Sequence, residues 1–164
     1  PEDVAVSLSH FFSWPLERCV DHLLDPNAAL VPGERFGGHQ VRQHMGRWDQ
    51  HVCSWADQTQ LPVLIMRYED MLAKGLETFT KLVSFLGLPG EAELIQQALD
   101  NTSIDRLKKL EEDVDGFAEK PVGCERFFRS GRTGQGAEQL TIEQRQRLAK
   151  GLSGVMKCFQ YEGP

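Results

Sequence analysis

Arg126, Arg129 and Arg132 fall within seven residues, in the run Glu125-Arg126-Phe127-Phe128-Arg129-Ser130-Gly131-Arg132. A guanidinium group pairs with phosphate or carboxylate oxygens through two parallel hydrogen bonds. In a chain of net charge −6, such a local cluster is a candidate anion site. On its own, a solvated loop is the plainer reading of the three arginines. Two further places add to it. Ser7 falls in the first turns of a predicted helix, near its positive end, where a hydroxyl suits a phosphate. Alone it would read as an ordinary helix serine. Tyr68-Glu69-Asp70 follows a short apolar run, at the end where open α/β folds bind ligands.

Other chemistries find less support. Gly131-Arg132-Thr133-Gly134-Gln135-Gly136 is glycine-rich, but it follows no predicted strand. No G-x-x-x-x-G-K-[ST] occurs, which disfavours a nucleotide or sugar kinase relative. Cys19, Cys53, Cys124 and Cys158 form no C-x-x-C pair, and the histidines at 10, 22, 39, 44 and 51 show no H-E-x-x-H spacing, so no metal site is expected. The cysteines read as four reduced, mostly buried thiols of a cytoplasmic protein, and the histidines as surface or hydrogen-bonded core residues. The negative charge argues against broad nucleic-acid binding, and no apolar run is long enough to span a bilayer.

The 164 residues suffice for a single domain, expected over 1–164. Apolar spacing predicts helices over 3–14, 16–24, 40–58, 75–87, 91–100, 103–112, 141–150 and 152–159. Trp48 and Trp55, seven residues apart, are expected as core anchors on one helix face. Residues 25–38 and 113–125 read as loops. Pro62-Val63-Leu64-Ile65-Met66-Arg67 is the one predicted strand, continuously apolar as for a strand buried on both faces. One buried strand leaves its N–H and C=O groups needing partners, so further strands are expected from hidden segments, from upstream polypeptide or from another chain. The start at Pro1, without Met, suits a fragment or a processed chain.

Three segments, in order, resemble the cytosolic-type sulfotransferases that use 3′-phosphoadenosine 5′-phosphosulfate (PAPS). Pro1-Glu2-Asp3-Val4-Ala5-Val6-Ser7 is similar to the family's R-N-P-x-D-x-x-x-S segment, whose Arg and Ser hold the donor's 3′-phosphate; Ser7 maps to the Ser, and the Arg would precede Pro1. Arg67-Tyr68-Glu69-Asp70 resembles the strand followed by Y-E-D-L, with Tyr68 at the residue that lies against adenine. The stretch Gly46 to Trp55 resembles the G-S-W-x-x-H-V-x-x-W helix, and Asn101-Thr102-Ser103-Ile104 the T-S-F element of the adenine pocket, with Ile104 in place of Phe. Phe127 to Gly134 resembles R-K-G-x-x-G-x-W-K, the second 3′-phosphate clamp. Arg129 maps to its Arg, Ser130 replaces the Lys, and backbone N–H groups near Ser130 and Gly131 would complete the cradle. Gly136 and Ala137 stand where the family has Trp-Lys.

The resemblance implies an α/β, P-loop-like sulfotransferase fold, represented by its helix-rich C-terminal portion with few strands of the parallel sheet. It implies PAPS, or its product adenosine 3′,5′-bisphosphate (PAP), as the bound nucleotide, with Ser7, Tyr68, Thr102, Ser103, Ile104, Arg129, Ser130 and Gly131 as binding residues. The family's phosphosulfate-binding Lys loop and general-base His lie upstream of R-N-P and have no counterpart here, so no catalytic residue is assigned and the chain alone is expected to be inactive. The acceptor would be a small hydroxyl or amine compound. The alternative is a non-catalytic, truncated interaction module that self-associates through unpaired strand edges. The family's K-x-x-x-T-V-x-x-x-E dimer segment aligns with Ala137, Thr141, Ile142 and Gln146, which lack both charged ends, so that dimer is not expected.

Overall fold

Helix α1 (Glu2–Phe12) begins with two acids at its positive end and stops at Ser13, which turns left-handed at φ 52°. Pro15 then sits just before α2 (Leu16–Leu24), where a missing N–H costs nothing. A computed structural model describes residues 1–30, 41–58, 60–113, 124–161 and 163 of the chain. It divides into two compact units, one made of 1–58, 119–127 and 134–164, the other of 59–118 and 128–133.

The first unit holds α1, α2, strands β1 (Ala29–Leu30) and β2 (Gln43–His44), α3 (Trp48–Ala56), α8 (Gln135–Gln139), α9 (Ile142–Gly151) and α10 (Ser153–Cys158). Its core joins Ala5 of α1, Cys19, Val20 and Leu23 of α2, and Leu140, Leu148, Leu152 and Met156 from the C-terminal helices. Burial pushes the Cys19 thiol pKa up and the His22 imidazole pKa down. Thr141 caps α9 reciprocally, its hydroxyl accepting from the Gln144 N–H while the Gln144 side chain accepts from the Thr141 N–H. Arg147 of α9 reaches both Glu17 and Asp21 of α2, and Arg145 pairs with Glu2 at 3.0 Å.

The second unit holds α4 (Tyr68–Ala73), α5 (Gly75–Phe85), α6 (Ala92–Asn101) and α7 (Ile104–Asp113). The buried Thr78 donates to the Asp70 carbonyl at 3.1 Å, tying α5 to α4. Gly87 closes α5 as its position predicts: its N–H reaches the Ser84 carbonyl, and the Leu88 N–H reaches that of Val83, both at 3.0 Å.

Most of the predicted helices appear within a residue or two of their expected ends. Four expectations change. Residues 62–67 form neither helix nor paired strand, and Val63 and Ile65 are 40% and 50% exposed. A strand exists only through its neighbours, and among the described residues none pairs with this segment. The only paired strands described are β1 and β2, antiparallel, with Ala29 opposite His44 and Leu30 opposite Gln43. They occupy stretches read as loop and as helix, because the 40–58 helix starts only at Trp48. Trp55 is 64% exposed, whereas Trp48 packs on the core beside Tyr161. Leu76 and Leu86, two of the apolar residues whose spacing predicts the 75–87 helix and an inward face, are also exposed. The predicted loops at 31–38 and most of 113–125 lie outside the described residues.

Candidate functional site

Seven of the eight residues singled out from sequence, all but Ser7, belong to the second unit. Tyr68 is the first residue of α4, and its side chain is exposed. Glu69 and Asp70 follow it in the first turn, where acids favour helix initiation. Thr102 and Ser103 make the corner between α6 and α7. The Thr102 hydroxyl donates back to the Ala98 carbonyl at 2.8 Å, and the Ser103 carbonyl accepts from the Leu107 N–H at 3.0 Å to start α7. Both residues are exposed at this corner.

Ile104, the next residue, meets the glycine-rich segment. Gly131 has φ 60°, a conformation that costs other residues energy but not glycine. A Cβ added there would stand 2.8 Å from Ile104 Cγ1 and 2.9 Å from Ile104 Cβ. The side chain of one motif therefore covers the backbone of another. A second tie lies along the same helix: the Phe128 N–H donates to Glu111 Oε2 of α7 at 3.1 Å. Arg129 and Ser130, between these two anchors, are half-buried, and Arg132 beyond them is exposed. The arrangement offers a guanidinium, a hydroxyl and glycine backbone on a short segment pinned at both ends, a set of donors suited to an anion.

Ser7 lies in the second turn of α1, in the first unit, half-buried, and its side chain has no hydrogen-bond partner among the described residues. Arg126 also belongs to the first unit. Its carbonyl oxygen accepts from His10 Nε2 at 2.8 Å and from the buried Cys124 thiol at 3.1 Å, so the proton of His10 is assigned to Nε2. His10 is thus a hydrogen-bonded structural residue, as the sequence suggested. Among the described residues no group of three or more His, Cys, Asp or Glu is placed to hold a metal ion, and no helix is long and apolar enough to cross a membrane.

Two carboxylates that sequence reasoning did not single out hold the glycine-rich region. Glu111 is one. Asp3 is the other: its oxygens accept from the Gly134 N–H at 2.8 Å and the Gly136 N–H at 2.6 Å, at the start of α8. Asp3 was visible only as an acid of the first turn of α1 and as the D of the matched segment. No local spacing points to partners 131 and 133 residues away.

The model of the sulfotransferase domain family matches residues 1–160. Bovine sulfotransferase 1A1 is 27% identical over 171 aligned positions, covering 98% of this chain and 55% of that protein. Human sulfotransferase 1E1 is 28% identical, covering 95% of this chain and 52% of its own length. The chain therefore spans about half the length of the curated relatives it matches. Mouse sulfotransferase SULT7A1, solved as a complex with PAP, has a similar fold, with a TM-score of 0.70 at 20% identity over 96% of this chain and 56% of that one.

Proposed function

Since this chain belongs to the sulfotransferase domain family, we propose that it is the part of such an enzyme that grips the 3′-phosphate and adenine of PAPS. The donor supplies the sulfuryl group that the whole enzyme passes to a small hydroxyl or amine acceptor. In this reading Arg129, Ser130, Gly131 and Ser7 serve the phosphate, and Tyr68, Thr102, Ser103 and Ile104 serve the adenine. The chief support is the seat of Ile104 on Gly131, a direct contact between two segments singled out separately from the sequence. In this reading residues 1–164 belong to a single sulfotransferase-type domain. Relatives named cytosolic sulfotransferases and four free thiols support a cytoplasmic setting. Without a phosphosulfate-binding Lys loop or a general base, the 164 residues alone bind PAP weakly and transfer no sulfuryl group.

The test is a titration of the isotope-labelled chain with PAP, followed through backbone amide resonances. Weak, saturable shifts are expected at Tyr68, at 102–104 and at 129–131. Arg129→Ala should weaken binding at least tenfold, the size of a charge-assisted hydrogen bond of about 1.5–3 kcal/mol. Shifts confined to other residues, or sulfuryl transfer by the purified chain, would refute the reading.

One observation favours a second reading as an interaction module. Leu61, Val63 and Ile65, at alternate positions of an unpaired apolar segment, expose 64%, 40% and 50% of their surface. Self-association through 62–67 would give a light-scattering mass above 18.5 kDa that falls when Ile65 is changed to Lys. A monomer mass at every concentration would rule it out.

A further inference from the structure

Resting on the phosphate-clamp reading above, the geometry points to Ile104 and Glu111 of α7 as positioning residues for that clamp. Arg129 and Ser130 lie on a segment fixed at both ends by this single helix. At one end Glu111 Oε2 accepts the Phe128 N–H at 3.1 Å. At the other, Ile104 lies against Gly131 so closely that no side chain fits between them. Ile104 and Glu111 are seven residues apart, two helical turns or about 10.5 Å. Phe128 and Gly131 are three residues apart, with the chain bending at Phe128 and with Gly131 at φ 60°. The helix therefore holds both ends of 128–131.

A segment held at both ends presents its backbone groups in a fixed order, with the Arg129 side chain leaving from a set point. That lowers the ordering cost of binding an anion. Sequence comparison alone put Ile104 at the adenine, as a substitute for Phe. The contact with Gly131 gives it a second task at the phosphate end. Glu111, which no motif includes, takes part as a hydrogen-bond acceptor for the Phe128 N–H.

The experiment titrates the labelled 164-residue chain with PAP in wild type, Glu111→Gln, Glu111→Ala, Ile104→Val and Ile104→Ala. Unfolding midpoints and the hydrogen exchange of the Phe128 amide are read on the same samples. Both residues are half-buried, so each variant retains the surrounding helices. Glu111→Ala is expected to weaken PAP about fivefold, the effect of one ordinary hydrogen bond, and to speed exchange at Phe128. Ile104→Ala is expected to weaken PAP by a similar factor. Glu111→Gln, which keeps an acceptor, holds wild-type affinity, and Ile104→Val, which keeps a branched cover over Gly131, binds more tightly than Ile104→Ala. Alanine variants that bind as wild type does would overturn the positioning role. So would affinities that merely follow the unfolding midpoint across all four variants. If the wild-type chain shows no PAP-dependent shift at 129–131, the clamp reading itself falls and takes the positioning role with it. Exchange at Phe128 would then still report whether Glu111 holds that amide, so the two failures are told apart.

Discussion

Replacing Gly136 with alanine is expected to cost the first unit about 3 kcal/mol or more, the upper part of the overpacking range. The new Cβ would meet Glu2 of α1 at its Cβ, and would stand 2.7 Å from its carbonyl carbon and 2.9 Å from its Cα. Backbone atoms cannot swing aside as the tip of a side chain can. Glu2 is also held from its other end, since Arg145 of α9 pairs with its carboxylate at 3.0 Å. Relief therefore requires α1 to lift from α8, which breaks the bonds from Gly134 and Gly136 to Asp3. Urea denaturation followed by circular dichroism checks this. Asp3→Ala serves as the comparison, because it loses the two acceptors without adding volume and should cost about 1–3 kcal/mol. A Gly136→Ala midpoint equal to wild type would mean that the two helices can part freely.

Leu148→Ala should cost about 2–5 kcal/mol, the range for a buried leucine truncated in a well-packed core. Leu148 of α9 is completely buried, in the cluster where Cys19, Val20 and Leu23 of α2 meet Leu152 and Met156. Truncation leaves a void between helices whose outer edges are already fixed, because Arg147 is paired with Glu17 and Asp21 across the same junction. The walls therefore have little freedom to collapse. Ile142→Ala on the same helix is the control: its side chain is half exposed, and its cost should stay within about 0.5 kcal/mol. Equal midpoints for the two variants would contradict the burial of Leu148.

The helices were legible because their determinants are local. Leu16–Leu24 is bounded by Pro15 and carries Cys19, Val20 and Leu23 on one face, and the structure keeps those bounds. Helix α4 was missed although Glu69 and Asp70 mark its first turn, since a six-residue helix offers too little periodicity. The strand at 62–67 was inferred from apolar content, but a strand is a relation between segments, and composition says nothing of the partner. Trp55 shows the same limit on a helix: sharing a face with Trp48 does not guarantee that anything covers both. At the candidate site, motif order gave Arg129, Gly131 and Ile104 separately. Their joining by α7, and the roles of Glu111 and Asp3, depend on contacts between residues from 17 to 133 positions apart.

The tryptophans are unevenly placed. Trp14, stacked on Phe12 at 4.6 Å with the Arg18 guanidinium 4.0 Å from its ring, lies in the first unit, as do Trp48 and Trp55; the second unit has none of the three. Indole emission is therefore a built-in reporter for one body, whereas helical ellipticity sums both. Recorded on a single sample, the two signals separate what either alone would blend, and any gap between their melting curves measures how independently the body that carries Arg129 and Tyr68 comes apart.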